Sequence, residues 1–232
     1  MRDLPGLTGA LYVFAEWIMR FSMANLLWII VNLPLLFVLL SVYINGFGPG
    51  FVVYLLPLVL LIPAVTVPST VALFATAREW ILQKDQSSIT KTYFFHMKAN
   101  YRKNFLAGLA LLALWLVWLV DIYFFKQSND FMALLFTLIG LGLFVYTLNF
   151  FSLCVHYRMK TRTLLKNAFF ITLGNPLLSL FILVSNMSLF YVSATRLYFL
   201  IPLFTVSISA YLSFLVFYRF SLKMQKKAES SI

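Results

Sequence analysis

The chain has 232 residues, 62% of them hydrophobic and only 11% charged, with 18 Lys and Arg against 7 Asp and Glu for a formal net charge of +11. A soluble domain carries about 25% charged residues, and the polar segments 78–104 and 219–232 are too short to build an independent core without metal or disulfides. A soluble domain is therefore excluded, and so is a nucleic-acid partner, because the cations flank apolar stretches where anionic lipid is the nearer counter-charge.

Six apolar stretches, near 21–44, 51–77, 105–125, 131–155, 169–193 and 197–218, each reach the ~20 residues an α-helix needs to cross ~30 Å of hydrocarbon. Of the 18 Lys and Arg, 16 fall in the N-terminal segment and alternate gaps, and only Lys126 and Arg196 fall in the others. The pattern predicts one all-α integral membrane domain over 1–232, with six transmembrane helices and both termini cytoplasmic in a bacterial plasma membrane. Three helical hairpins follow, about 1–77, 78–155 and 156–232, each preceded by a cytoplasmic segment.

Residues 1–20 lack a compact apolar stretch ending in a small-residue cleavage site, so no signal peptide is expected to be removed. Residues 5–20 are a candidate interfacial helix, with Glu16 and Arg20 spaced for an i, i+4 ion pair. In the first span Asn25 and Asn32 lie seven residues apart and share a face that flanks Trp28.

The second span contains Pro57, Pro63 and Pro68 and is predicted to be broken. Each proline removes a backbone donor, leaving carbonyls that Thr66, Ser69 and Thr70 can help satisfy if the segment is buried in protein or lines a wet cavity. Two accounts stand side by side, a packing kink and a ligand or gating element.

Between the second and third spans, Ser87 and Ser88 can cap a helix whose apolar stripe is Ile89, Tyr93, Met97, Tyr101 and Phe105. Lys91, Lys98, Arg102 and Lys103 lie off that stripe, giving a basic amphipathic helix over about 87–104 in the headgroup layer of an anionic inner leaflet. It either anchors the protein or docks a partner through Lys91, Phe94, Phe95, His96, Lys98, Arg102 and Lys103.

Asp121, roughly 24 Å along the third span from Phe105 at about 1.5 Å per residue, belongs near the outer interface and is expected to pair with Arg196 or Lys126, the alternative being a proton relay. Asn149 and Asn186 lie in the fourth and fifth spans, and interhelical hydrogen bonds at about 0.6–2 kcal/mol each account for them without a substrate. Asn175-Pro176 poses the same question of kink or site as the second span. Lys-x-x-Phe-Phe-x-x-x-x-Asn occurs twice, as Lys91, Phe94, Phe95, Asn100 and as Lys166, Phe169, Phe170, Asn175. Coincidence and a parallel repeat both remain open.

Catalytic chemistry finds no support. His96 and His156 lack companions at ligand spacing, Cys154 reads as an apolar filler, and there is no nucleophile elbow or phosphate loop. The chain is expected to be no enzyme and to hold no metal or cofactor.

Asn25-Leu26-Leu27-Trp28 with Asn32-Leu33-Pro34, then Pro68-Ser69-Thr70-Val71-Ala72-Leu73-Phe74, Arg78-Glu79-Trp80-Ile81, Phe94-Phe95 and Asn104-Phe105, resemble the YesL family of bacterial membrane proteins. Leu164-Leu165-Lys166-Asn167-Ala168 leading into Asn175-Pro176 resembles that family's second cytoplasmic junction, while 35–62 is longer and more apolar than in its compact members. The family is known mainly from sugar-utilisation loci, beside permeases of oligosaccharide ABC importers. The resemblance implies that context and not a mechanism; within it, the chain is expected to be a non-catalytic accessory or assembly partner of such an importer, meeting its permease or ATPase through 89–104 and 158–170. The alternative is an independent facilitator or channel for a small neutral solute, lined by Asn25, Asn32, Pro63, Thr66, Pro68, Asn149 and Asn186. A lipid-modifying or lipid-moving role rests only on the basic inner surface.

Overall fold

A computed structural model describes residues 7–46, 51–84, 88–126 and 130–229. Among the described residues the chain is all helical: α1 (Leu7–Asn45), α2 (Phe51–Leu61), α3 (Val67–Ile81), α4 (Ile89–Lys98), α5 (Tyr101–Lys126), α6 (Asp130–His156), α7 (Thr161–Gly174), α8 (Pro176–Thr195) and α9 (Val206–Glu229). Two five-residue π-turns, Ile62–Thr66 and Ile201–Thr205, run directly into α3 and α9.

Among the described residues six helical stretches are long and apolar enough to cross a membrane: Gly9–Asn45, Val53–Ile81, Tyr101–Phe125, Asp130–His156, Pro176–Thr195 and Ile201–Lys226. Their outer surfaces are apolar, with Phe37, Val117 and Phe181 all more than half exposed. A soluble fold could not leave such a band facing water, whereas lipid tails cover it. The molecule is thus a multi-pass α-helical membrane protein.

The boundaries differ from the sequence reading in three places. The interfacial helix expected over 5–20 is continuous with the first span in α1, and Glu16 and Arg20 do form their ion pair within it. The stripe expected to run from Ile89 to Phe105 is cut at Asn100, whose φ of +58° is the left-handed conformation that asparagine tolerates better than most residues, so Tyr101 and Phe105 belong to α5. The stretch 169–193 is divided at Asn175: Pro176 starts α8, and the residues before it form the separate α7. Proline suits a first helical turn, where its missing N–H costs nothing, so Pro176 opens a helix instead of kinking one.

The centre of the bundle is α3, which touches α1, α4, α5, α6 and α9. Ser69, Ala72, Ala75, Thr76 and Ala77 are buried along it, small side chains that let neighbouring backbones approach closely. At Gly108, α5 comes close to the first π-turn, where an added Cβ would lie 2.7 Å from Pro63 Cα.

Candidate functional site

Asn25, Trp28 and Asn32 lie on one face of α1, the spacing i, i+3, i+7 that a helix brings into line. That face meets both broken spans. On one side Asn25, fully buried, donates from Nδ2 to the carbonyls of Ile201 (3.2 Å) and Pro202 (2.8 Å) and accepts at Oδ1 from the N–H groups of Val206 (2.9 Å) and Ser207 (3.0 Å). In an uninterrupted α-helix Val206 N–H would donate to Pro202 carbonyl. Here a side-chain amide from another helix stands between them, an insertion of the kind that kinks helices. Both donors and both acceptor sites of the amide are used.

On the other side the break in span 2 is dressed by four elements. Pro68 has no N–H, so the Ala64 carbonyl lacks its helical donor, and the Tyr101 hydroxyl of α5 supplies one at 2.8 Å. The Thr66 carbonyl accepts from Ser69 Oγ (2.9 Å) and Thr70 Oγ1 (2.7 Å), as the sequence reading expects of those hydroxyls. From α1, Trp28 Nε1 donates to Thr70 Oγ1 (3.0 Å) and Asn32 Nδ2 to Ser69 Oγ (2.8 Å). From α4, the Tyr93 hydroxyl donates to the Ser69 carbonyl (3.2 Å), and burial pushes its pKa above the ordinary tyrosine range, which keeps it a donor. Among the described residues three buried side-chain oxygens have no partner: Asn32 Oδ1, Thr66 Oγ1 and Asn149 Oδ1.

Asn149 and Asn186 do not join this seam. Asn149 donates to Thr172 Oγ1 (3.0 Å), tying α6 to α7, and Asn186 links α8 to α9 through Ser213 and Ser209. The four asparagines therefore serve separate helix contacts and are not brought together in one lining.

The basic residues of the predicted docking surface divide between two helices. Lys91, Phe95 and Lys98 form one outward face of α4, with Phe95 69% exposed; Phe94 is at its edge, and Arg102 and Lys103 follow in the first turn of α5. Ser88 caps α4 by accepting from Lys91 N–H at 3.5 Å, while Ser87 lies outside the described residues. The inner face is fixed by Tyr93 and by His96 Nε2, 2.8 Å from Glu79 Oε1, so His96 is a positioning contact and not part of the outward surface. The second copy of the motif occupies the corresponding place in α7. Tyr93 and Ala168 are both fully buried, Phe94, Phe95, Phe169 and Phe170 are exposed, and Asn100 and Asn175 both sit where the short helix meets the next span. In each copy the N–H four residues beyond the asparagine, from Asn104 or Ser179, returns to its carbonyl.

Asp121 and Arg196 do not pair in the structure, and the side chain of Lys126 lies outside the described residues. Cys154 is a free thiol, its Sγ 3.7 Å from Asn104 Oδ1.

The sequence reading missed one further repetition. Ile-Pro-x-x-Thr-Val occurs at 62–67 and again at 201–206, and each copy forms a π-turn. A search for internal matches across the whole chain would have found it.

These features define an all-α multi-pass membrane protein whose two proline-broken helices are stapled by one face of the first. Residues 21–122 match the family described as "Protein of unknown function, DUF624". The chain is 29% identical to "Uncharacterized protein YteU" of Bacillus subtilis (strain 168) over 95% of its own length and 89% of that protein. It is 25% identical to "Uncharacterized protein YesL" and 26% identical to "Uncharacterized protein YesV" of the same organism, covering 75% and 72% of those proteins. The resemblance to the YesL family read from the sequence is thereby borne out. No solved structure matches.

Proposed function

We propose that this protein acts without catalysis, by contact, as an accessory or assembly partner of a carbohydrate ABC importer in the bacterial plasma membrane, with both termini cytoplasmic. The observation that carries the contact reading is the outward face of α4: Lys91, Phe95 and Lys98 point away from the bundle while Tyr93 and His96 lock the opposite face to α3. A rigid apolar centre flanked by cations is suited to a protein partner, because little side-chain entropy is lost when it docks. The importer is proposed as the partner class from the sugar-utilisation context that the YesL resemblance implies. The orientation rests on the distribution of Lys and Arg.

A chromosomally tagged copy, recovered in mild detergent after growth on oligosaccharides, is expected to bring down permease or ATPase subunits in near-stoichiometric amounts. The triple charge reversal K98E/R102E/K103E is expected to lower that recovery at least tenfold without lowering the amount in the membrane. Unchanged recovery would remove the site assignment, and isolation of the chain alone would remove the accessory role.

The alternative, an independent facilitator for a small neutral solute, has one observation in its favour. Asn32 Oδ1 and Thr66 Oγ1 are unpartnered acceptors on the two helices that meet at the break in span 2. It predicts solute flux in vesicles containing this chain alone.

A further inference from the structure

At the end of the bundle where α3 and α6 finish, α3, α6 and α9 pack against one another. Arg78 lies in the last turn of α3 and His156 is the last residue of α6. Arg78 Nε and His156 Nδ1 are both sealed from solvent and both lack a hydrogen-bond partner. The rings of Phe74 in α3 and Phe151 in α6 lie 5.4 Å apart, and Arg78 and His156 follow about one turn further along the same two helices, at the same level of the bundle. No carboxylate among the described residues pairs with Arg78. A buried donor without an acceptor costs about 1–3 kcal/mol, more when charged, so two in one place mark a position built for an acceptor that arrives from outside.

The surroundings narrow its chemistry. The imidazole is walled by Tyr157, Phe214, Phe217 and Tyr218, with ring centroids 4.6, 6.0, 5.8 and 5.8 Å away. Two of these rings, Tyr157 and Phe217, also line an open groove of about 370 Å³ whose other walls include Ile171, Phe220, Ser221 and Met224. The groove is mostly apolar and lies beside the ends of spans, at the depth where headgroup and acyl chain meet. Arginine's planar donors match the oxygens of a phosphate. The rings of Tyr157 and Phe217 are shared by the imidazole's surroundings and the groove, so an amphipathic molecule with its chain in the groove can bring an anionic headgroup to the Arg78 cation and the neutral His156 donor beside it.

We propose that Arg78 and His156 form the phosphate seat of a binding site for an anionic phospholipid, with an acyl chain lying in the groove between α7 and α9. His156 contributes as the tautomer that carries its proton on Nδ1, and the phosphodiester supplies the acceptor oxygens that both side chains lack.

The test uses the full chain, delipidated in neutral detergent, with bound lipid counted by native mass spectrometry during titration. Three probes separate the parts of the site: phosphatidylglycerol, diacylglycerol, which has the chains without the phosphate, and inorganic phosphate, which has no chains. One tightly held phosphatidylglycerol per chain is expected, with diacylglycerol and inorganic phosphate each at least tenfold weaker. R78Q is expected to weaken phosphatidylglycerol tenfold or more, and H156Q to weaken it in the same direction. R196Q, which removes an exposed cation at the opposite end of the bundle, is expected to leave it unchanged. Equal affinity in R78Q and H156Q, or diacylglycerol as tight as phosphatidylglycerol, would overturn the phosphate seat. Inorganic phosphate as tight as the lipid would overturn the groove. If R78Q fails to fold, H156Q against R196Q decides the question.

Discussion

A single amide can substitute for several backbone rungs, and Asn25 does so. Removing it by Asn25→Ala strands two carbonyls and two N–H groups of span 6 in a place without water, at about 1–3 kcal/mol for each group that finds no other partner. Partial relaxation of the π-turn toward regular helix offsets some of this, so a net loss of about 2–4 kcal/mol is expected. Asn149→Ala should cost less than about 1 kcal/mol, because it frees only the Thr172 hydroxyl, which is also bonded to the Ala168 carbonyl. Thermal unfolding of the two variants in one detergent checks the contrast, and equal losses would show that Asn25 is an ordinary interhelical contact. The shared face of Asn25 and Asn32 is legible in the sequence because it follows from helical periodicity. The identity of Asn25's partners is not, since Ile201 and Pro202 are brought to it only by the packing of the first span on the sixth.

At the level of helices, the close approach of α5 to the first π-turn makes a sharper claim than proline content alone. Gly108→Ala puts a methyl group against backbone that cannot rotate away, so a loss of about 1–3 kcal/mol is expected. Gly142→Ala, whose Cβ would meet nothing within 4 Å on the exposed side of α6, should be neutral or slightly stabilising. Melting temperatures of the pair test it, and a neutral Gly108→Ala would mean the two helices can separate without cost. The break in span 2 was visible in the sequence because three prolines within one apolar stretch leave no other reading. Its counterpart in span 6 was not, because Pro202 lies close to the start of a helix, where proline is ordinarily harmless. The stop at Asn175 was equally ambiguous, as Asn-Pro is compatible with either a kinked or a newly begun helix.

For the molecule as a whole, the number of spans and the inside-out distribution of apolar residues follow from composition, length and hydropathy, and these were fully legible. Orientation rests on charge alone and yields its own prediction. In a Cys154→Ala background, R196C is expected to react with a membrane-impermeant maleimide on intact cells and K98C only after permeabilisation. Both side chains are exposed, at opposite ends of the bundle, so accessibility is not limited by packing. The reverse pattern would invert the topology and move α4 and α7 to the cell exterior. The arrangement of helices within the bundle was not legible, because lipid-facing and partner-facing residues are both apolar here and hydropathy does not distinguish them.

The π-turns also set angular phase. An α-helix advances about 100° per residue, and a π-turn accommodates one residue more than an α-turn in the same length. Before the first π-turn, α2 packs on α1 and leaves Val53 and Leu56 exposed; after it, α3 is enclosed by five helices. The supernumerary residue re-indexes the helix, so that one continuous span presents a lipid face along its first half and a protein-enclosed segment along its second. Shortening either Ile-Pro-x-x-Thr-Val turn by one residue would turn everything downstream by more than a quarter revolution, carrying Arg78 in span 2, or the Phe217 wall in span 6, out of alignment with His156.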